Sequence, residues 1–210
     1  KHHFGEGIVK TLEDFGRMGA RPSHPDLLDW LAREFIQQGW SLKAMHRLMM
    51  TSSTYRQSSK VTPQNKKLDP ANALWSRMPL QRMDAEAIYD TLLVVSKRLD
   101  DKPFGPPDPV RTRKDGLATP VETEKGWRRG IYLRQVQNYG RGVPSLLEAF
   151  DFPQMAPNCV ERVESTVAPQ ALHLLNDGMV RQLAAALAGR VRAEAGADPG
   201  QQIERAYLIS

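Results

Sequence analysis

The segment DAEAIYDTLLVVSKRL, residues 84–99, carries the longest regular hydrophobic pattern in the chain and decides the predicted fold class. Its apolar side chains recur every three or four residues, the spacing of one face of an α-helix. Asp84 stands before the run, where a carboxylate can cap the first turn. We therefore expect a helix at the centre of the hydrophobic core. Its apolar stripe is Ile88, Leu92, Val95 and Leu99, with Ala85 and Leu93 beside it.

Two further helices are predicted in the N-terminal part of the chain. The first begins after Ser23, because a serine followed by Pro25 and Asp26 is typical of a helix N-cap. Apolar residues then follow at helical spacing until Gly39, a residue type favoured just after a helix end. Ser41 starts a second apolar helix, which ends near residue 52. We expect the two to form a compact helical hairpin.

The C-terminal part predicts three more helices. A short one follows Pro144. A long one begins after Ser165 or Thr166, either of which can cap it, and bends near residues 176–178. The last one starts around Pro199.

The remaining segments predict long connections and little sheet. Residues 57–72 are polar and contain two prolines, so we expect a surface connection. Residues 101–126 form a proline- and charge-rich excursion, which predicts a long loop. One short strand is favoured at residues 131–133 with Val136. The predicted fold is mainly α, an irregular multi-helix domain with long loops and at most a small sheet. We interpret residues 1–210 as a single helical domain cut from a longer multidomain protein.

Composition argues against several classes of protein. No run approaches the roughly 18 apolar residues that a membrane-spanning helix needs. The net charge of +5 is modest and spread among many acidic residues, which favours a solvated basic surface over a nucleic-acid interface. The single cysteine, Cys159, can form neither an internal disulfide nor a c-type haem site. We expect it to be a small, at least half-buried residue.

Short motifs suggest chemistry that their context does not support. Residues 14–16 spell Asp-Phe-Gly, the metal-binding tripeptide of protein kinases, but no catalytic-loop motif precedes it. The pairs Gly5-x-Gly7 and Gly140-x-Gly142 lack the third glycine of a dinucleotide-binding loop. We predict neither a kinase nor a nucleotide site.

His24 stands close in sequence to two carboxylates, Asp26 and Asp29, at a predicted helix N-terminus. These groups could hold a cation, but the positive end of a helix opposes one. The adjacent His2 and His3 point apart in any regular structure. We therefore predict no metal site. Asp26 is expected to cap the helix, and His24 to order the loop or bind a ligand. Asp29 is expected to be solvated, with a catalytic role as the weaker alternative.

Glu86 and Asp90 are four residues apart, so they are neighbours on one helix face. This is the spacing that a pair of catalytic carboxylates would need, but such pairs are more often held in structural ion pairs. We expect Arg82 or an arginine from the predicted strand region, such as Arg128 or Arg134, to neutralise them.

Polar and aromatic side chains after residue 126 form a candidate binding group. Aromatic rings with arginines could stack on sugars or on single-stranded nucleic acid, although ordinary packing is the favoured account. Gln170 and Asn176 could hydrogen-bond a buried loop backbone or a sugar hydroxyl. The candidate binding residues are His24, Arg82, Arg129, Tyr132, Arg162, Gln170 and Asn176, and the aromatic set also includes Trp127 and Tyr139.

Several blocks along the chain resemble one family. In order, they are FGxGIV (4–9), DFG (14–16), SHPDLLDWLA (23–32), WSLK (40–43), TSSTYR (51–56), RxxAEAI (82–88), RxIY (129–132), FDxP (150–153) and STxxxQAL (165–172). The chain resembles the planctomycete domain of unknown function fifteen fifty-three, also called planctomycete surface domain one. It departs from the family pattern at Tyr89, where an arginine is usual, and at residues 104–106, where a double-glycine turn is commoner.

The resemblance implies a location and partners but no reaction. It places the domain in large periplasmic or secreted proteins, joined to other domains of the same polypeptide and sometimes to an N-terminal c-type cytochrome. A haem would then belong to that other domain, and no cofactor is expected in this segment. Polysaccharide is the external partner that we consider, and nucleic acid is not expected.

Two functions remain open from the sequence. The first is a non-catalytic binding or scaffolding module, linked to polysaccharide use or to cytochrome electron transfer. The second is a carbohydrate-active hydrolase that uses Glu86, Asp90, Asp26 or Asp29. A hydrolase needs two carboxylates about 5 to 9.5 Å apart in one open cleft.

Overall fold

A computed structural model describes residues 1–134, 142–153, 162 and 165–210. Contacts divide the chain into two compact units, Lys1–Arg82 and Met83–Ser210. The expectation that residues 1–210 form a single domain of a longer protein stays a prediction. Four residues that the sequence analysis singled out lie outside the described residues: Val136, Tyr139, Gly140 and Cys159.

The first unit contains helices α1 (Pro25–Gln37), α2 (Leu42–Thr51) and α3 (Pro63–Leu68). Gly39 follows α1 with a φ of +65°, in the left-handed region that favours glycine after a helix. Ser41 caps α2 by accepting a hydrogen bond from the backbone N–H of Ala44. Both predicted helices are therefore confirmed.

The start of α1 differs from the prediction in its capping residue. His24, not Ser23, occupies the N-cap position, and its side chain makes no capping hydrogen bond. The hydroxyl of Ser23 instead donates to the carbonyl oxygen of Ile8 at 3.2 Å, and its backbone N–H donates to the same oxygen at 2.8 Å. Ser23 therefore anchors the preceding loop, because a distant carbonyl competes for its hydroxyl.

That loop is closed by short polar contacts. The hydroxyl of Thr11 donates to the carbonyl of Asp14 at 2.7 Å and accepts from the N–H of Ala20 at 2.9 Å. The Asp14 carboxylate accepts from the N–H of Gly16 at 2.7 Å. At Gly19 a Cβ atom would lie 2.1 Å from the carbonyl oxygen of Asp14, so only glycine fits. The Asp-Phe-Gly tripeptide thus forms a local turn.

Two predictions for the first unit need correction. Residues 57–72 form a mostly exposed surface connection, as predicted, but they also contain α3, whose first turn is capped by the Thr62 side chain accepting from the N–H of Asn65. The backbones of α1 and α2 do not pack closely along their lengths, so no compact hairpin forms. No residue of α1 is fully buried, and Trp30 and Trp40 are 47% and 65% exposed.

The second unit contains helices α4 (Ala85–Val95), α5 (Ser145–Ala149), α6 (Ala168–Asn176), α7 (Gly178–Ala195) and α8 (Pro199–Ile209). Its strands are β1 (Leu99–Asp100), β2 (Val110–Thr112), β3 (Ala118–Pro120) and β4 (Trp127–Arg128), followed by a 3₁₀ helix at Gly130–Tyr132. The eight α-helices and short strand pairs of the described residues confirm a mainly α fold with a small sheet.

The core of this unit is built on α4, as predicted, but on a different face. Ala85, Tyr89 and Leu93 are buried, and Tyr89 and Leu93 have no exposed surface. The predicted stripe of Ile88 and its neighbours packs only against the edge of this core. One residue step turns a helix by about 100°, so the tyrosine moves the buried face away from the aliphatic stripe. The core is completed by Trp127, Leu133, Leu146, Leu147, Phe150, Met179, Val180 and Leu183.

Asp84 occupies the N-cap position of α4, yet its side chain makes no capping hydrogen bond. Its carboxylate lies 3.7 Å from the guanidinium of Arg162. The predicted start of the helix is confirmed, whereas the predicted capping bond is wrong because an arginine attracts the carboxylate.

The predicted long loop at 101–126 contains a β-hairpin. β2 and β3 are antiparallel, with Arg111 opposite Thr119, and β1 and β4 are parallel. The strand predicted at 131–133 is wrong, because these residues lie in the 3₁₀ helix and in a single bridge between Asp108 and Leu133. The strand is β4, a few residues earlier in the chain.

The C-terminal helices follow the prediction with two corrections. The predicted bend is a complete break, since Asp177 ends α6 and caps α7 by accepting from the N–H of Val180 at 3.0 Å. Neither Ser165 nor Thr166 caps α6; Val167 occupies the N-cap position. α8 starts at Pro199 as predicted.

Glu194, near the end of α7, joins three parts of the second unit. Its carboxylate accepts from Lys97 and Arg190 at 2.9 Å each, and from Arg205 on α8 at 2.6 and 2.8 Å. Hydrogen bonds from these cations lower the pKa of Glu194 to about 2. The carboxylate therefore stays ionised and holds α8 against α7.

Candidate functional site

Glu86 and Asp90, the predicted carboxylate pair on α4, are each held by an arginine. Arg162 donates to both oxygens of Glu86, at 2.6 and 2.8 Å. Arg129 donates to Asp90 at 2.7 Å, and the backbone N–H of Gly130 donates to the other oxygen of Asp90 at 2.7 Å. The Arg162–Glu86 pair is bidentate, the strongest arrangement that a carboxylate makes with arginine, whereas Asp90 shares its two oxygens between Arg129 and a backbone N–H.

The charge state of Glu86 follows from these contacts. Burial is the largest single influence and would raise the pKa of this carboxyl. The hydrogen bonds and positive charge of Arg162, together with a backbone hydrogen bond, outweigh it, so the pKa is lowered. The hydrogen bond to Asp90 raises the pKa of Arg129 in turn. The Glu86 carboxyl is therefore an anion at neutral pH, with the guanidinium of Arg162 beside it.

One of these arginines, Arg129, comes from the region of the predicted strand, as expected, whereas Arg162 was not expected. Arg162 is 76 residues away from Glu86 along the chain, and no sequence pattern connects them. Arg128, an expected partner, binds Asp108 instead, and Arg134 is exposed. Arginines 129 and 162 were singled out only as candidate binding residues.

Arg128 and Tyr132 form a clamp on the proline-rich loop. Arg128 is 4% exposed and donates to Asp108 at 2.8 to 3.1 Å, and to the carbonyl oxygens of Phe104 and Pro106 at 2.7 and 2.6 Å. Its guanidinium lies 4.8 Å from the centre of the Tyr132 ring. The hydrogen bond to Asp108 raises the pKa of Arg128. The contacts of Arg128 are thus internal, and the Tyr132 ring is stacked against it.

Gln170, on α6, forms hydrogen bonds with the backbone that precedes this helix. Its side-chain oxygen accepts from the N–H of Val167 at 3.2 Å, and its amide donates to the carbonyl of Ser165 at 3.0 Å. Ser165 itself donates to both oxygens of Asp151 at 2.9 Å. This is the buried-loop alternative stated for Gln170. Asn176 is exposed at the end of α6, and a ligand-binding role for either residue stays a prediction.

In the first unit, His24 orders the loop rather than meeting the nearby carboxylates. Its Nδ1 lies 2.9 Å from the Ser23 hydroxyl, and its ring stacks on Trp75 with centroids 4.7 Å apart. Asp26 and Asp29 are both exposed on α1. Within the described residues, no three His, Cys, Asp or Glu side chains gather as metal ligands.

Sequence reasoning missed a contact between two histidines, His3 and His46. His46 Nδ1 lies 3.1 Å from His3 Nε2, and the rings stack with centroids 5.0 Å apart. Burial, followed by the charge of the neighbouring His46, lowers the pKa of His3. The two histidines are 43 residues apart, so no local signal could have linked them.

A cleft of about 450 Å³ opens in the second unit, and we call it the hairpin cleft. One side is the β2–β3 hairpin and the other is the first turns of α7. Paired residues of antiparallel strands share a face, as do residues four apart on a helix. The lining residues that matter here are Arg111, Arg113, Thr119, Trp127, Gly178 and Gln182.

Charges around the hairpin cleft are unequally compensated. Arg113 pairs with Asp115 at 2.7 Å, and Glu122 pairs with Arg98. Arg111 is exposed, and it forms no ion pair with the residues that the structure describes. Sequence reasoning missed this cleft because it expected residues 101–126 to be an open loop.

Fold and site together define a mainly α module with a small sheet, whose helix-borne carboxylates are internally paired and whose open cleft is lined by arginine. The chain belongs to the family PSD1, described as "Protein of unknown function (DUF1553)", whose model matches residues 1–210. Neither the curated proteins nor the solved structures contain a match to this chain. None of the described helices is both long and apolar enough to span a membrane.

Proposed function

We propose that this chain is a non-catalytic binding module of a larger extracytoplasmic protein, and that its ligand is polysaccharide. The observation that carries the proposal is the pairing of Glu86 with Arg162 and of Asp90 with Arg129. These are the carboxylates best placed on one helix face for acid/base work. Each is engaged by internal donors.

The chemistry of glycoside hydrolysis explains why this pairing favours binding. The general acid of a hydrolase needs a raised pKa, so that it holds a proton at working pH. The pKa of Glu86 is lowered. The Asp90 carboxylate accepts at both oxygens, which leaves it poorly placed to take a proton from water. Asp26 and Asp29, the remaining weak candidates, are both exposed on α1.

A binding module needs an accessible surface that a ligand can enter, and the hairpin cleft offers one. Its volume of about 450 Å³ lies within the 300–1,000 Å³ typical of ligand sites. The extracytoplasmic location, the attachment to other domains and a cytochrome link are proposals drawn from the family resemblance. Fractionation of cells producing the full-length protein tests the location.

The deciding experiment measures binding and turnover together. The full-length protein would be screened on an array of polysaccharides, and each one bound would be assayed for new reducing ends. We expect binding without product, unchanged in Glu86→Gln. Reducing ends that disappear in Glu86→Gln would establish the hydrolase instead. Absence of binding to every polysaccharide would refute the proposed ligand class.

A further inference from the structure

We infer that the hairpin cleft binds an acidic saccharide and that Arg111 pairs with its carboxylate or sulfate group. This inference rests on the proposed polysaccharide-binding function and specifies its site and the class of sugar. It rests on Arg111, which lines the hairpin cleft of the second unit and forms no ion pair with the residues that the structure describes.

The β2–β3 hairpin explains why Arg111 can face a ligand. Arg111 is directly opposite Thr119 in the antiparallel register, so both side chains lie on one face of the hairpin. Arg113, two residues further on, shares that face. All three line the cleft. A guanidinium and a hydroxyl are thus offered side by side to one ligand.

The charges in the cleft select an anion. Arg113 and Glu122 line the cleft too, but each has an internal partner of opposite charge, Asp115 and Arg98 respectively. This leaves Arg111 as the lining cation without a carboxylate among the described residues. A guanidinium binds carboxylates and sulfates through two parallel hydrogen bonds, which makes such groups its preferred partners.

The remaining walls suit the body of a sugar. Gln182 and Gly178 lie four residues apart on α7 and offer an amide and an open backbone. Trp127 is 4% exposed and its indole N–H donates to the carbonyl of Pro120 at 3.3 Å, so its ring is a fixed apolar wall. One charged group with a few polar groups and an apolar wall is the usual make-up of a small-ligand site.

Three probes that differ in charge test the inference on the full-length protein by calorimetry. They are a galacturonic acid oligosaccharide, its fully methyl-esterified form, and a sulfated oligosaccharide of equal length. We expect the free acid or the sulfated probe to bind at least 10-fold more tightly than the neutral ester. Tighter binding of the free acid identifies a carboxylate as the ligand group, and tighter binding of the sulfated probe identifies a sulfate.

Two arginine variants identify the site. Arg111→Ala should weaken binding of the acidic probe about 10- to 100-fold, the loss expected for a charge-assisted pair. Arg192→Ala is the matched control, because it removes the same charge from an exposed α7 position about 20 Å along the helix from Gly178. It should leave binding unchanged. Circular dichroism would confirm that both variants fold.

The results separate this inference from the proposed function. Equal affinity for the acid and its methyl ester would overturn the inference while leaving a saccharide-binding module. Equal losses in Arg111→Ala and Arg192→Ala would also overturn it, because they would show general electrostatic attraction. If no polysaccharide in the wider array binds, the proposed function itself fails.

Discussion

Removing the Tyr89 hydroxyl should stabilise the second unit, although most truncations of buried side chains destabilise a protein. Tyr89 lies at the centre of the core with no exposed surface. Its hydroxyl has no hydrogen-bond partner among the residues that the structure describes. Burial, together with the negative charges of Asp90 and Asp108, raises the pKa of Tyr89, so the group stays a neutral hydroxyl.

The expected magnitude follows from what the substitution Tyr89→Phe removes. A buried polar group without a partner costs about 1–3 kcal/mol of stability. The phenylalanine keeps the ring and its packing against the core, and it leaves only a hydroxyl-sized gap. The gap offsets part of the gain, so we expect the free energy of unfolding to rise by about 1 kcal/mol. The melting temperature should rise by about 3 °C.

Urea denaturation of the two proteins measures the change, with an unchanged m-value as the sign that the denatured state is unaltered. Tyr207→Phe is the matched control, because this tyrosine is 81% exposed and its hydroxyl is solvated. It should change the stability by less than about 0.5 kcal/mol. A loss of 1 kcal/mol or more in Tyr89→Phe would refute the reasoning, since it would show that the hydroxyl makes a stabilising bond.

Three further predictions follow from backbone geometry and pKa shifts. Gly126→Ala should destabilise by about 3 kcal/mol in urea denaturation, because the φ there is +135° and a Cβ would lie 2.0 Å from a backbone oxygen. Gly189→Ala, in open space on α7, should instead stabilise by about 0.5–1 kcal/mol; a similar loss in both variants would contradict the steric argument. The pKa of Glu194 is lowered from 4.5 to about 2, so its contribution to stability is complete above pH 4.5 and is lost as the pH falls towards 2. The melting temperature of Glu194→Gln should therefore vary less with pH in that window than that of the parent protein. An unchanged slope would contradict this role of Glu194. The pKa of His3 is lowered from 6.5, so its contribution is complete above pH 6.5 and is lost as the pH falls below that value. In His3→Asn the melting temperature should no longer depend on pH in this range, whereas the exposed neighbour variant His2→Asn should keep the dependence. Equal pH profiles in the two variants would contradict the proposed effect of His3.

Helix boundaries were predictable because their signals are local. Gly39 and Ser41 separate α1 from α2 through backbone preference and a capping hydroxyl, and both signals act within four residues. Pro199 works in the same way at the start of α8. Where a side chain found a stronger distant partner, the local prediction failed. Ser23 bonds to Ile8, and Asp84 faces Arg162, so neither makes its expected capping bond.

The candidate site was harder to predict because its contacts join distant parts of the chain. Glu86 and Asp90 were found as neighbours from helix geometry alone, yet Arg162 comes from 76 residues away. The β2–β3 hairpin was missed because its strands have three residues each and lack an alternating apolar pattern. The hairpin cleft was consequently invisible to sequence reasoning.

The second unit shows how a basic chain can separate structural arginines from one available for binding. Arg128, Arg129 and Arg162 each meet a carboxylate at 2.9 Å or less, so their charges are neutralised within the fold. Removing one of them would leave a partly buried carboxylate without its partner, which costs more than the pair itself contributes. Arg111 is exposed in a cleft and forms no ion pair with the residues that the structure describes. The number of basic residues therefore says little about ligand binding here. Whether an arginine can bind a ligand depends on whether a carboxylate of the fold already pairs with it.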